Sequence, residues 1–243
     1  MRARTKRMPR KTTHVVPRLS RGPKKRTRVA EKWGRSRGPK PEAILLLGPT
    51  GSGKTPLGAA LQKHGLSGKR CIHFDFGANL REVGGLKRRP PGFTVKDRTV
   101  ILDSLRTGAL LENENFPTAE KIMRRFSRRH RMKKGDILVL NGLPRHEGQA
   151  ADLGRTVAVK TIIYLKASIN TVRERIRRNT DGDRTARRDD SPAEIKRKYA
   201  IFQKRTRALL DYYARRRAKV LVIPLDVRST LNDVSRRLAD LLL

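Results

Sequence analysis

The sequence predicts an α/β fold, a five-stranded parallel sheet covered by crossover helices, and three observations predict it. Short apolar runs of strand length alternate with stretches of helical periodicity from residue 41 onward. A glycine-rich turn stands directly between the first apolar run and the first helical pattern. The one cysteine, Cys71, excludes an internal disulfide framework, and without paired cysteines a structural zinc site is not expected.

The elements follow in order. The strand-like runs are 43–47, 71–75, 136–140, 159–165 and 219–225. A helix opens at Lys54 after the first run. Residues 76–135, about sixty in number, exceed what one crossover helix needs, so an insertion is expected there. After the third run, Gly142-Leu143-Pro144-Arg145 turns sharply into a helix carrying Gln149 and Ala150. A further helix begins near Ser168 and runs into a polar loop, 177–190, whose arginines suit phosphate. From about Pro192, Ile195, Tyr199, Phe202, Leu209, Leu210 and Tyr213 recur at spacings of three, four or seven, placing one apolar face along a helix. Leu231, Val234, Leu238 and Leu241 do the same for the last helix. Both stripes read as packing surfaces.

At 243 residues the chain suits one sizeable α/β domain, 41–243, with an appendage. Lys and Arg number 59 against 22 Asp and Glu, a formal net charge of +37, which attracts phosphate polymers and other polyanions without bearing on fold. In residues 1–40 Glu31 is the single acid and apolar residues are too few to offset the entropy of ordering the chain. A disordered basic arm is expected there, either a solubilising tail or a contact for nucleic acid or another polyanion. No apolar run is long enough to span a membrane, and the beginning of the sequence lacks the apolar core of a signal peptide. A cytoplasmic protein is expected.

Gly48-Pro49-Thr50-Gly51-Ser52-Gly53-Lys54-Thr55 fits G-x-x-x-x-G-K-[ST] at every specified position, after a strand and before a helix as that motif requires. This is the P-loop pattern. Backbone N–H groups around Gly48, Gly51, Ser52 and Gly53 turn inward about an oxyanion, Lys54 reaches the β and γ phosphates, and the Thr55 hydroxyl meets Mg²⁺. The expected ligands are therefore ATP and Mg²⁺, and the expected architecture is the three-layer P-loop NTPase fold. The loop does not name the acceptor, because motors, GTPases and small-molecule kinases share it.

Residues 135–153, GDILVLNGLPRHEGQAADL, resemble the adenylate kinase family, whose motif here reads D-G-[FY]-P-R-x-x-x-Q-A. The resemblance implies that Arg145 grips the phosphate of a nucleoside monophosphate, beside Gly142, and that Gln149 reads its base. FGANLR (76–81) is similar to the family's T-G-D-x-L-R, implying a phosphate contact for Arg81. TGALLE (107–112) resembles G-x-L-V-P of the acceptor-binding insertion, here about 76–115. TVRER (171–175) implies that Arg175 stacks on the donor's adenine, and RRDD (187–190) resembles the R-x-D-D of a short, zinc-free lid, about 177–190, with Arg178, Arg184 and Arg187 as its catalytic cations. The resemblance covers 41–243 and implies transfer from ATP to AMP by a monomer.

Four positions depart from the family pattern: Asn141 replaces an aspartate near Mg²⁺, Phe76 a threonine or serine, Ala78 an aspartate, and Lys198 a phosphate-binding arginine. Asp75, at a strand end, is placed either to compensate for Asn141 or to serve as an ordinary turn residue. His64, His73 and His146 lack ligand-like spacing and read as packing or surface residues; no general base is assigned. Two other readings stay open: a P-loop kinase of another acceptor, such as a different nucleotide, a nucleic-acid 5′ end or a small metabolite, and a nucleic-acid- or ribosome-associated ATP-binding module.

Overall fold

The computed structural model of the chain describes residues 40–109, 111–182 and 191–242. Five strands, β1 (Glu42–Leu47), β2 (Cys71–Asp75), β3 (Ile137–Asn141), β4 (Ala158–Lys166) and β5 (Lys219–Pro224), form one sheet in the order β2-β3-β1-β4-β5, every pair parallel. The third strand begins one residue later than its apolar run. Asp136 is withheld from the ladder because its carboxylate accepts from Arg70 Nε at 3.0 Å and from the Lys133 backbone N–H at 2.6 Å. Of the basic arm expected over 1–40, only Lys40 is described; the rest lies outside the described residues.

Helices cover both faces of the sheet. Along β1, Ala43, Leu45 and Leu47 belong to one apolar layer and Ile44 and Leu46 to the other, as the period of two requires of a strand buried on both sides. The second layer is completed by α1 (Lys54–His64), α6 (Ile169–Arg178) and α9 (Leu231–Leu242) through Leu57, Leu61, Val172, Val234 and Leu238. Here α1 lies so close to β2 that a Cβ at Gly58 would sit 2.3 Å from His73 Nε2, so this histidine is a packing residue. The first layer is completed by α2 (Phe76–Gly84), α3 (Val95–Thr107), α4 (Phe116–Arg129), α5 (Glu147–Leu153) and α8 (Leu209–Ala214). The expected insertion is thus α2 and α3, followed by a 3-10 turn at Asn113–Asn115.

One expectation is corrected. The stripe from Pro192 to Tyr213 does not lie on a single regular helix: α7 (Pro192–Ile201) gives way to a π-helical segment, Phe202–Thr206, before α8. The Arg207 N–H donates to the Phe202 carbonyl at 2.9 Å, an i to i+5 bond. The wider turn keeps both Phe202 and Thr206 buried while Ile195 and Tyr213 still face the core.

Connectivity then fixes where a ligand can sit. From β1 the chain passes through α1 to β2, beyond β3, returns to β3, and crosses β1 to β4 on the other side. The carboxyl ends of β1 and β3 therefore flank a crevice at a switch in strand order, the usual ligand position in open parallel sheets.

Asp97 anchors the insertion. Its side chain completes a capping box with Thr94 and accepts from Thr118 at 2.7 Å and from Lys121, both on α4. Burial raises its pKa, but the bonds from Lys121, Thr94 and Thr118 outweigh it and hold the carboxyl below the usual carboxylate range. Asp97→Asn should cost about 1–3 kcal/mol in urea unfolding at pH 7. Because the folded pKa is depressed, that contribution is complete above about pH 4 and is lost as pH falls through the folded value. The gap between wild type and variant should narrow on acidification; a gap independent of pH between 7 and 3 contradicts the assignment.

Candidate active site

The loop after β1 is shaped by glycine at two points. A Cβ on Gly48 would lie 2.6 Å from Ser52 Oγ and 2.8 Å from the Leu165 carbonyl, and Gly53 enters α1 with φ of 84°, in the left-handed region. Ser52 is buried and donates to the Pro49 carbonyl at 2.9 Å, closing the turn from beneath. No side chain caps α1 and its first turn holds no acid, so its amide groups and positive dipole end are available to an anion. Lys54 Nζ lies on the loop's own carbonyls, 2.8 Å from Gly48 O and 2.5 Å from Pro49 O.

Beside Lys54, three side chains from three elements converge. Thr55 Oγ1 donates to Asp75 Oδ2 at 3.0 Å, and Asn141 Nδ2 donates to the same oxygen at 2.9 Å and to Thr55 Oγ1 at 3.1 Å. Asp75 thus brings a negative charge to the strand end where Asn141 has none. Its other oxygen, Oδ1, accepts from the Ala78 N–H at 2.9 Å and caps α2. Asp75 is thus a helix-capping turn residue that also sets a carboxylate beside Thr55 and Asn141. Among the described residues no group of three or more His, Cys, Asp or Glu could hold a metal ion. A hydroxyl with one carboxylate fits Mg²⁺, which keeps several waters and takes the remainder of its shell from phosphate.

Facing this loop is a second set of cations. Arg145 is fixed through its backbone: its N–H donates to Gln149 Oε1 at 2.8 Å, and its carbonyl accepts from Thr206 Oγ1 at 2.8 Å. Burial lowers the pKa of its guanidinium. Among the described residues no carboxylate pairs with it. Such a group, half-buried at the cavity wall and without an acidic partner, gains from a bound phosphate. A cavity of about 310 Å³ is lined jointly by Gly48, Gly51, Gly53, Lys54, Thr55 and Asp75 on one side and by Arg81, Gly142, Arg145, Gln149 and Lys198 on the other. Phe76, Leu80, Leu105, Leu111, Ile201 and Phe202 add an apolar lining.

Three expectations fare differently. Gln149 is buried, and besides holding Arg145 its Nε2 donates to the Leu111 carbonyl at 2.7 Å. Its amide acts as a strut between segments and not as a free base reader. Leu111 is further fixed by its neighbour Glu112, whose carboxylate accepts from Arg205 at 2.6 and 2.7 Å. Arg175 does not present a face for stacking: its side chain is 1% exposed. It donates to both oxygens of Asp181 at 2.9 and 2.7 Å, to Gly51 O and Asp226 O at 3.3 Å each, and to Ser229 O. Arg175 therefore braces the glycine-rich loop. Arg178 pairs with Glu174 on the exposed side of α6, away from the cavity, and Arg184 and Arg187 lie outside the described residues.

Thr206 and Asp181 are functional neighbours that sequence reasoning missed. Thr206 depends on the π-turn, which leaves no pattern in the sequence. Asp181 sits in the polar loop flagged for its arginines, and its pairing with Arg175 six residues earlier is not visible from spacing alone. No protein-family model matches the chain, and a comparison with curated proteins also finds no match.

Burial separates two of the ion pairs of α6, Arg175–Asp181 and Arg178–Glu174. Asp181→Ala leaves the Arg175 guanidinium buried without its carboxylate and should cost about 3 kcal/mol. Arg178→Ala breaks an exposed pair and should cost no more than about 0.5 kcal/mol. Urea unfolding of the two variants side by side checks this; equal costs contradict the bracing role.

Proposed function

We propose that this chain is a P-loop kinase of the nucleoside monophosphate class, moving the γ-phosphoryl group of MgATP to a monophosphate, with AMP the expected acceptor. The observation that carries the reading is the single cavity with the glycine-rich loop on one wall and Arg81 and Arg145 on the other. The resemblance to the adenylate kinase family supports it, as does the position of the cavity at the switch in strand order.

In this reading the ATP triphosphate lies along the N-terminus of α1, and Lys54 swings from the loop carbonyls to the β and γ phosphates. The acceptor phosphate lies between Arg81 and Arg145, with Lys198 supplying further charge. One of its anionic oxygens attacks the γ-phosphorus in line, and the bond from that phosphorus to the β–γ bridging oxygen breaks. ADP leaves, and the acceptor becomes a diphosphate. A monophosphate is already largely dianionic at neutral pH, so no side chain needs to remove a proton. Catalysis here consists of positioning and of positive charge around the migrating group. The Thr55 hydroxyl, beside the Asp75 carboxylate, would hold Mg²⁺, which would supply neutralisation of the phosphate charge. The apolar lining from Leu80, Leu105 and Ile201 suits the flat face of a base.

Purified protein with MgATP should convert one or more of AMP, GMP, CMP and UMP to its diphosphate, followed by coupled assay or phosphorus NMR. Absence of transfer across that panel, with ATP binding intact, would instead favour another acceptor or an ATP-binding module. Lys54→Ala should lower kcat by roughly a thousandfold or more without moving the unfolding midpoint. Arg145→Ala should raise KM for the monophosphate about tenfold or more and lower kcat, with KM for ATP little changed. If ATP and monophosphate KM rise together, Arg145 does not belong to an acceptor pocket.

A further inference from the structure

In a parallel sheet the segments that enter the strands all reach the same end, opposite the cavity. Here they are 40–41, 65–70, 130–136, 154–157 and 215–218. Together they hold ten Lys and Arg in 23 residues against one carboxylate, Asp136, whereas the whole chain has 59 in 243. Across the sheet, Arg70 precedes β2, Lys134 β3, Lys40 β1, Arg155 β4 and Arg217 β5. All ten cations are exposed.

Some of this charge has a local explanation. Lys69 pairs with Glu42, Arg70 with Asp136, Arg155 with Asp152 and Arg215 with Glu147, and Arg216 lies over the Tyr212 ring. Helices α1, α4, α5 and α8 end at this face, and each carries about −0.5 of a charge at its carboxyl end, so they account for roughly two units more. Setting these and the four carboxylates against ten cations leaves an excess of about four. Arg131, Lys134 and Arg217 have no side-chain hydrogen bond or ion pair among the described residues, and Lys133 meets Asp136 through its backbone N–H and a weaker attraction of its charge. The five strands spread this excess over about 19 Å, at about 4.8 Å per strand.

We propose that this face binds the phosphate backbone of a nucleic acid. The surface is a band and not a pocket, so it fits a polymer better than a single phosphate. A duplex presents on the order of ten phosphates over such a length. A bilayer is disfavoured because the exposed large apolar side chains among the described residues, Val95, Leu102, Leu105, Val222 and Leu241, all lie outside these segments. The 39 residues before Lys40 in the sequence hold fifteen Lys and Arg and one acid. Contacts to phosphate carry no base sequence, so binding is expected to be indifferent to sequence and steep in salt.

The test uses the full chain and labelled RNA and DNA of about 20 nucleotides, read by fluorescence anisotropy from about 50 to 300 mM KCl. The triple variant Lys133→Glu, Lys134→Glu, Arg217→Glu should bind roughly tenfold or more weakly, with a salt slope smaller by about two. A charge-matched control, Lys166→Glu, Arg173→Glu, Lys196→Glu, should lose about threefold or less. Residues 1–39 are common to all three proteins, so the difference reads the face itself. If the first variant unfolds at lower temperature, the glutamine triple at the same positions should still weaken binding about threefold or more. RNA should also protect Lys133 and Lys134 from acetylation. The RNA and DNA arms identify the sugar. Equal losses in the two charge-reversed triples, wild-type affinity in the first, or displacement of RNA by anionic vesicles at equal phosphate overturns the proposal.

Discussion

Because all five strands run the same way, every segment that leaves the sheet emerges at one end and every segment that enters it arrives at the other. The glycine-rich loop, the Asp75 turn and the Arg145 turn follow β1, β2 and β3, whose order brings them side by side. Asp75 at the end of β2 meets Thr55 in the first turn of α1 across β3, whose last residue, Asn141, donates to both. Parallel pairing also requires both faces to be covered, and the near-continuous apolar run of β1 answers that requirement.

Within the cavity, Arg145 presents its charge while neighbouring side chains hold it in place. Gln149 and Thr206 fix Arg145 by its backbone, so its guanidinium is aimed without being engaged. Arg175 does the converse for the glycine-rich loop: its own charge is satisfied by Asp181, and its remaining donors hold three carbonyls from distant segments. A buried charge is tolerable when every donor has a partner, whereas the Arg145 guanidinium lines the cavity with no carboxylate paired to it among the described residues. That contrast, more than the identity of either residue, distinguishes brace from binder.

Much of this was legible in the residues. Strand positions, the turn at 48–53, the excess length after β2 and Lys54 follow from periodicity, glycine placement and motif spacing, while Arg81, Arg145 and Lys198 come from the family resemblance and line the same cavity. What was not legible is the direction in which a side chain spends its hydrogen bonds. Arg175 and Gln149 have the right types at the right spacing, yet each is claimed by carbonyls far away in sequence, and only tertiary packing decides that competition. The π-turn escaped for a related reason. Its apolar stripe matches a regular helix to within a residue, and the extra residue changes only which backbone groups pair.

Asp75 joins two halves of the molecule through the two oxygens of one rigid group. Oδ1 holds the first turn of the helix that carries Arg81, and Oδ2 meets Thr55 at the start of α1. A cation drawn to Oδ2 would therefore act on the same rigid carboxylate whose Oδ1 caps α2. The start of α1 and the start of α2 are linked over a span of a few atoms, with no hinge between them.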